Sequence, residues 1–298
     1  MHERIPVVWH SQADGRGRYN CTAQINDLFD AYDCTHHPGW DRMPDVEGAV
    51  VIVHGGREPG RLDKLNMDIE ELKWVLLIFC GDEESSFPAE LVEHPNKICW
   101  VQEPIPGRHD FAKRFILDGY TPHTHKHIVK CEKDLDWVLA CQMTHERRWA
   151  CRNALQSIDW GGVIVESKGY TLGVSLEEYH RLLCRAKIAP CPSGPFSPDS
   201  ARVCEALECG AVPILDDLSP TRKEPGFWKY VLGNHPLPTI TDWSELPGKI
   251  AEVKSDWENI SLRCQAFWTG YKLNFLDWLA EDIYKLTGKS CLKSKSAS

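Results

Sequence analysis

The sequence contains no long apolar run. Its N-terminus lacks the apolar h-region of a secretory signal, and no segment reaches the roughly 18 consecutive apolar residues of a membrane span. A soluble chain without an anchor is expected. Positive charge is also in short supply. The 34 Lys and Arg stand against 43 Asp and Glu, a net charge of −9, which argues against a broad nucleic-acid-coating surface and leaves room only for a local basic cleft. A phosphate-binding GxxxxGK[ST] motif is missing as well. The turn SQADGRGRYN over residues 11–20 holds a GxG, but no Gly-Lys-Ser/Thr follows, so it reads as a strand-to-helix loop. Metal ligands do not form a complete set. His123, His125 and His127 alternate within the polar stretch 118–136; on a strand they would share a face, yet no Cys or carboxylate at ligand spacing joins them. They are read as solvated or hydrogen-bonded linker histidines, with no metal expected. There is no internal repeat.

Cysteine, by contrast, is plentiful, with 13 in all. Several lie inside apolar runs (Cys80, Cys99, Cys141, Cys191), where a reduced thiol behaves as a small hydrophobe. A reducing, cytoplasmic setting is therefore expected. With 298 residues, 42% of them hydrophobic, and 12 Trp, the chain is long enough for two domains, each with a sizeable core.

Ile5–His10, Ala49–Val53, Trp74–Cys80 and Ile98–Val101 read as buried strands, and Thr22–Tyr32 reads as a helix with Ile25, Leu28, Phe29 and Tyr32 on one face. Alternation of such strands with helices predicts a parallel, Rossmann-like sheet. The polar stretch 118–136 marks the connection, giving an N-terminal domain over 1–125 and a C-terminal domain over 126–298. The second domain opens with the strand Trp137–Cys141, then QMTHERRW, where Thr144 is placed to cap a helix carrying Glu146, Arg147 and Arg148; Val163–Glu166 is the next strand. Near the end, Trp268, Tyr271, Phe275 and Trp278 share a helical face, either as core or as a stacking platform.

The stretch Tyr179–Asp217 organises the second half: helix, strand to Cys191, the loop CPSGPFSPDS, a helix and the strand Ala211–Leu215. Asp199 or Ser200 is placed to cap the second helix, and Gly210 to end it. In an open α/β sheet ligands gather outside the carboxyl ends of the strands, where helix N-termini present unpaired N–H groups to phosphate. Arg202 in the first turn and Glu205 one turn on form either a diphosphate and ribose site or an ordinary surface pair.

The run from Arg185 through CPSGPFSPDSARVCEALECGAVPIL resembles the nucleotide-sugar-binding segment of exostosin-type glycosyltransferases and, more loosely, of GT-B glycosyltransferases. Cys191, Pro192, Ser193, Gly194, Ser200, Arg202, Glu205, Ala206, Gly210 and Pro213 carry the likeness over about forty residues. It implies an α/β fold of two Rossmann-like domains facing a central cleft, the last helix crossing back to the first domain. A nucleotide sugar such as a UDP-sugar would be the co-substrate, with no further cofactor. The donor would be held by Thr144, Arg147, Arg148, Ser193, Ser200, Arg202 and Glu205, arginine suiting phosphate because its fork binds bidentately. An inverting reaction needs a general base in a first-domain loop: Asp82, Glu83 or Glu84 first, then Asp14 or His10. The acceptor is either a saccharide or a hydroxymethylated pyrimidine in DNA. For DNA, Arg16, Arg18 and Arg57, with Arg61, Arg108, Lys113 and Arg114, would line a basic cleft. Exostosin-type enzymes of animal cells are usually membrane-anchored; an unanchored chain is more similar to a bacterial or phage enzyme. The alternative is a non-catalytic nucleotide- or glycan-binding module.

Overall fold

The computed structural model describes residues 4–10, 20–38, 42–56, 58–158, 161–167 and 173–290. The chain forms two compact units, 1–118 together with 271–298, and 119–270. The first unit thus closes at Asp118, where the polar stretch begins, and takes in the last helix from Tyr271 onward.

In the first unit six strands, β1 (Ile5–His10), β2 (Cys34–Pro38), β3 (Gly48–His54), β4 (Trp74–Cys80), β5 (Lys97–Gln102) and β6 (Arg114–Ile116), form one sheet in the order β2-β1-β3-β4-β5-β6. All pairs are parallel. A parallel sheet is covered on both faces, so its strands read as near-continuous apolar runs. The period-2 alternation then sorts the side chains. Val7, Trp9, Val50, Ile52, Leu76, Ile78 and Trp100 pack on one face with Ile25, Leu28 and Phe29 of helix α1 (Asn20–Asp30). Val8, Val51, Val53, Val75, Leu77 and Val101 pack on the other with Leu65 and Ile69 of α2 (Arg61–Ile69).

The second unit holds α3 (Thr124–His127), β7 (Leu135–Gln142), α4 (Glu146–Gln156), β8 (Gly162–Ser167), α5 (Leu176–Arg185), β9 (Ala186–Cys191), α6 (Ala201–Glu208), β10 (Val212–Asp216), α7 (Phe227–Leu232), β11 (Thr239–Ile240) and α8 (Leu246–Ser255). Its sheet runs β11-β10-β9-β7-β8 and is parallel throughout. Helix α6 ends as its sequence requires: Gly210 adopts φ 73°, and the Ala211 N–H returns to the Ala206 carbonyl at 2.8 Å, a left-handed closure that glycine makes without steric cost.

In each sheet the strand order reverses once, between β1 and β3 in the first and between β7 and β9 in the second. Ligands in open α/β sheets gather outside the carboxyl ends of strands at such reversals.

The final helix, α9 (Trp257–Thr287), divides between the two units. In the first unit Phe275, Leu279, Ile283 and Leu286 join the sheet core, each such burial stabilising by about 1.5–3 kcal/mol. The aromatic face is therefore core: Trp268, Tyr271 and Phe275 are buried. Polar bonds fix its register. The Tyr32 hydroxyl donates to the Leu276 carbonyl at 2.6 Å, and the Trp100 indole N–H donates to the buried Asp282 carboxylate at 2.8 Å. Lys113 also pairs with Asp282, and Arg114 with Glu281 and Asp282. No helix among the described residues is long and apolar enough to cross a membrane.

Replacing Asp282 by Ala removes a charged acceptor from a buried indole and from Lys113 and Arg114. Urea unfolding should show a loss of about 1.5–3 kcal/mol.

Candidate functional site

At the reversal between β7 and β9, α4 and α6 begin directly beyond the carboxyl ends of the strands. Helix α4 starts at Glu146 with His145 as its N-cap, one residue later than the cap expected at Thr144, and the His145 side chain makes no capping bond. Ser200 is the N-cap of α6 in extended conformation, and its side chain makes none either. First-turn N–H groups at both ends are thus left to partners other than the cap side chains, and both ends carry the positive pole of a helix dipole.

The loop between β9 and α6 is almost wholly buried, and it is folded onto this point. The Ser193 carbonyl accepts from His145 Nε2 at 3.1 Å and from Arg148 Nε at 3.2 Å. Arg148, itself buried, also donates to the Gln142 carbonyl and to Thr144 Oγ1, each at 3.2 Å. The Phe196 carbonyl is held by the hydroxyls of Ser219 at 3.0 Å and Thr221 at 2.9 Å. Yet the side-chain oxygens of Ser193 and Ser200, 0% and 8% exposed, have no hydrogen-bond partner, and nor has His145 Nδ1. Buried polar atoms are satisfied in the great majority of cases, so three orphans at the carboxyl end of one sheet point to a ligand.

Arg202 donates Nε to the Ala140 carbonyl at 3.3 Å; among the described residues its terminal nitrogens have no hydrogen-bond partner. His145 is held neutral, its pKa pushed down to about 4 by burial and then by the Arg148 charge.

Two residues expected to bind the donor are otherwise employed. Arg147 grips Asp216 through Nε at 2.9 and 2.7 Å and through Nη2, and donates Nη2 to the Thr241 carbonyl. Asp216 is fully buried and accepts further bonds from Trp243 Nε1, Leu218 N and Ser193 N. Glu205 is likewise buried, and both of its oxygens are taken: Thr121 donates N–H at 3.0 Å and Oγ1 at 2.6 Å to one, Tyr179 its hydroxyl at 2.7 Å to the other. A buried carboxylate needs such partners; here they occupy the atoms expected to hold ribose hydroxyls. The sequence missed His145 and Asp216. An Asp at the end of a strand, 69 residues from its arginine, leaves no local signal.

In the first unit Asp82 fixes its own loop. Oδ1 accepts from Ser86 N and Oγ at 3.0 Å, and Oδ2 from Phe87 N at 2.7 Å. Glu83 and Glu84 are exposed. Asp82, Phe79, Phe87 and Gln102 border a cavity of about 20 Å³, room for one water rather than a sugar ring. His10, at the carboxyl end of β1, is buried with Nε2 3.0 Å from Asp68 Oδ2; Lys64 pairs with the same carboxylate at 2.7 Å. The Arg61 guanidinium donates to the carbonyls of His10, His54, Gly55 and Gly56 at 2.7–3.1 Å. Arg108 is tied to the Ser85 and Phe87 carbonyls and to Glu90. Arg61, Arg108, Lys113 and Arg114 thus serve the fold instead of lining a basic cleft. Asp14, Arg16, Arg18 and Arg57 lie outside the described residues.

The three histidines sit around a helical turn and not on a strand. His123 has φ 71°, His125 stands edge-on to Tyr120 at 4.8 Å, and His127 stacks on His180 at 5.8 Å. No group of three or more potential metal ligands occurs among the described residues.

Asp216→Ala leaves Arg147 without its partner in a largely buried position and should destabilise by about 3–5 kcal/mol. Ser193→Ala and Ser200→Ala remove hydroxyls that bond to nothing, so their melting temperatures should equal or exceed that of the parent. Differential scanning calorimetry of the three variants separates the residues that hold the site from those that face a ligand.

No protein-family model and no curated protein sequence matches the chain. Solved structures do. An α1,3-fucosyltransferase superposes with a TM-score of 0.50 at 11% identity, over 95% of this chain and 90% of that one. The calicheamicin glycosyltransferase CalG4 gives 0.49 at 11%, over 96% and 100%. A DNA-modifying β-glucosyltransferase, solved in the presence and absence of uridine diphosphoglucose, gives 0.49 at 14%, over 94% and 99%. The chain has the α/β GT-B glycosyltransferase fold, built from two Rossmann-like units.

Proposed function

We propose that this protein is a glycosyltransferase that moves a sugar from a nucleoside-diphosphate sugar to an acceptor hydroxyl. One observation carries the reading: at a single strand-order reversal, two helix N-termini without side-chain caps meet the partnerless hydroxyls of Ser193 and Ser200. That arrangement suits a diphosphate. The CPSG segment's resemblance to exostosin-type enzymes favours a UDP-sugar and, with Arg61, Arg108, Lys113 and Arg114 bound into the fold, a saccharide acceptor.

In the reaction the acceptor oxygen bonds to the anomeric carbon while the bond from that carbon to the diphosphate breaks, leaving negative charge on a phosphate oxygen. Arg202, the nearby charge of Arg148 and the two helix ends stabilise it. No metal is required in this reading. For an inverting displacement the base is His10. Asp68 accepts from Nε2, which fixes the tautomer with Nδ1 basic and orients the ring. Asp82, with both oxygens engaged in its loop, is displaced from first choice.

Arg202→Ala should weaken UDP-glucose binding by about 1.5–3 kcal/mol in titration calorimetry, the worth of hydrogen bonds from a charged donor. Turnover should persist in EDTA. Donor binding with neither transfer nor donor hydrolysis would instead indicate a binding module. Offering oligosaccharides beside duplex DNA carrying hydroxymethyl-pyrimidines tests the acceptor; transfer to the DNA alone would overturn the saccharide assignment.

His10→Ala should lower kcat by about 10²–10⁴-fold with donor affinity unchanged. Burial, partly offset by Asp68, depresses the His10 pKa below its ordinary 6.5. A base acts when neutral, so a depressed pKa keeps it active on acidification. The acid limb of kcat/KM should lie below pH 6.5 and disappear from the residual activity of His10→Ala.

A further inference from the structure

The ring of His145 carries information that the helix ends do not. Its Nε2 lies 3.1 Å from the Ser193 carbonyl oxygen, and a carbonyl only accepts, so Nε2 holds the proton. In the neutral ring the lone pair is then on Nδ1, which is buried without a partner. The charges around it are Glu146, Arg147 and Arg148 on α4 and Asp216 at the end of β10, the last neutralised by Arg147. Burial and Arg148 outweigh the carboxylates and hold the ring neutral, with its pKa pushed down to about 4. A lone pair repels a phosphate oxygen, which offers only lone pairs of its own. It needs an O–H or N–H. The hydroxyls of Ser193 and Ser200, by contrast, are rotors that turn a proton toward phosphate.

We propose that His145 is a specificity residue that accepts a hydrogen bond through Nδ1 from a sugar hydroxyl of the nucleotide sugar, while Ser193 and Ser200 donate to its diphosphate. This rests on the donor-site reading above. The hydroxyl belongs either to the ribose or to the transferred sugar, and the same chemistry serves both.

Titration calorimetry of the full chain with inorganic pyrophosphate, UDP and UDP-glucose at pH 6, in two buffers of different ionisation enthalpy, decides the matter. Pyrophosphate carries phosphate oxygens but no sugar hydroxyl. His145→Ala should leave pyrophosphate affinity unchanged and weaken UDP-glucose by about tenfold, the scale of one net hydrogen bond, and His145→Asn, which retains an acceptor, should recover part of the loss. A matching loss for UDP assigns the hydroxyl to the ribose; a loss for UDP-glucose alone assigns it to the transferred sugar. The parent should bind UDP-glucose, whose phosphates carry no titrating proton at this pH, without proton uptake. Uptake of about one proton, or an equal loss of pyrophosphate affinity, makes His145 a phosphate ligand and overturns the proposal. Unchanged affinity of His145→Ala for all three ligands also overturns it, while the donor-site reading stands. A parent that binds none of the three overturns the donor-site reading itself. Circular dichroism of each variant confirms that it is folded.

Discussion

The second unit's site depends on one buried carboxylate. Asp216 ends β10 with no exposed surface, and a charge so placed is tolerated only if its oxygens are fully occupied. Meeting that demand recruits Arg147 from α4, the indole of Trp243, and the N–H groups of Leu218 and Ser193. Four segments are thereby drawn to the carboxyl end of one strand. Asp217 next to it does the same for the following turn, accepting from Gly226 N and Trp228 N. The helix α4 and the Ser193 loop are fixed before any ligand arrives, and a preorganised site loses less on binding. Pairing Arg147 with Asp216 also neutralises one of the two adjacent arginines in the first turn of α4.

Much of the fold was legible because parallel strands buried on both faces are contiguous apolar runs. Ile5–His10 and Trp74–Cys80 were read with their observed limits, and β3, β5 and β8 within a residue at each end. The edge strands were not: CTHHP of β2 and RFI of β6 lie at opposite ends of the sheet, where one neighbour suffices and polar residues are tolerated. Side-chain roles were harder still. Arg147 and Arg148 are adjacent in sequence and look alike, yet one is a carboxylate's partner and the other a carbonyl clamp. Glu205 falls where a ribose ligand would, but Thr121 and Tyr179, remote in sequence, occupy it. Partners set by tertiary contacts leave no trace in local spacing. The loop after Cys191 and the start of α6, with Arg202 in its first turn, were legible because prolines, a glycine and small polar residues mark a loop and a cap before a helix.

A common constraint acts at the two strand-order reversals. Adjacent strands there send their chains to helices on opposite faces, so the carbonyls at their ends run out of ladder partners. A buried arginine meets that need in each unit. Arg61 takes the carbonyls of His10 and His54 at the ends of β1 and β3, and those of Gly55 and Gly56 beyond. Arg148 takes those of Gln142, ending β7, and Ser193, just after β9. A guanidinium serves here because its five N–H donors satisfy several diverging carbonyls while its charge is spread and weakly hydrated. The two clamps differ in their consequence. Around Arg61 two histidines, His10 and His54, have depressed pKa values, which leaves neutral imidazole beside a fixed cation. Around Arg148 stand two helix poles and partnerless hydroxyls. The same solution to the same backbone deficit thus favours neutral, basic nitrogens in one unit and a place for anionic oxygen in the other.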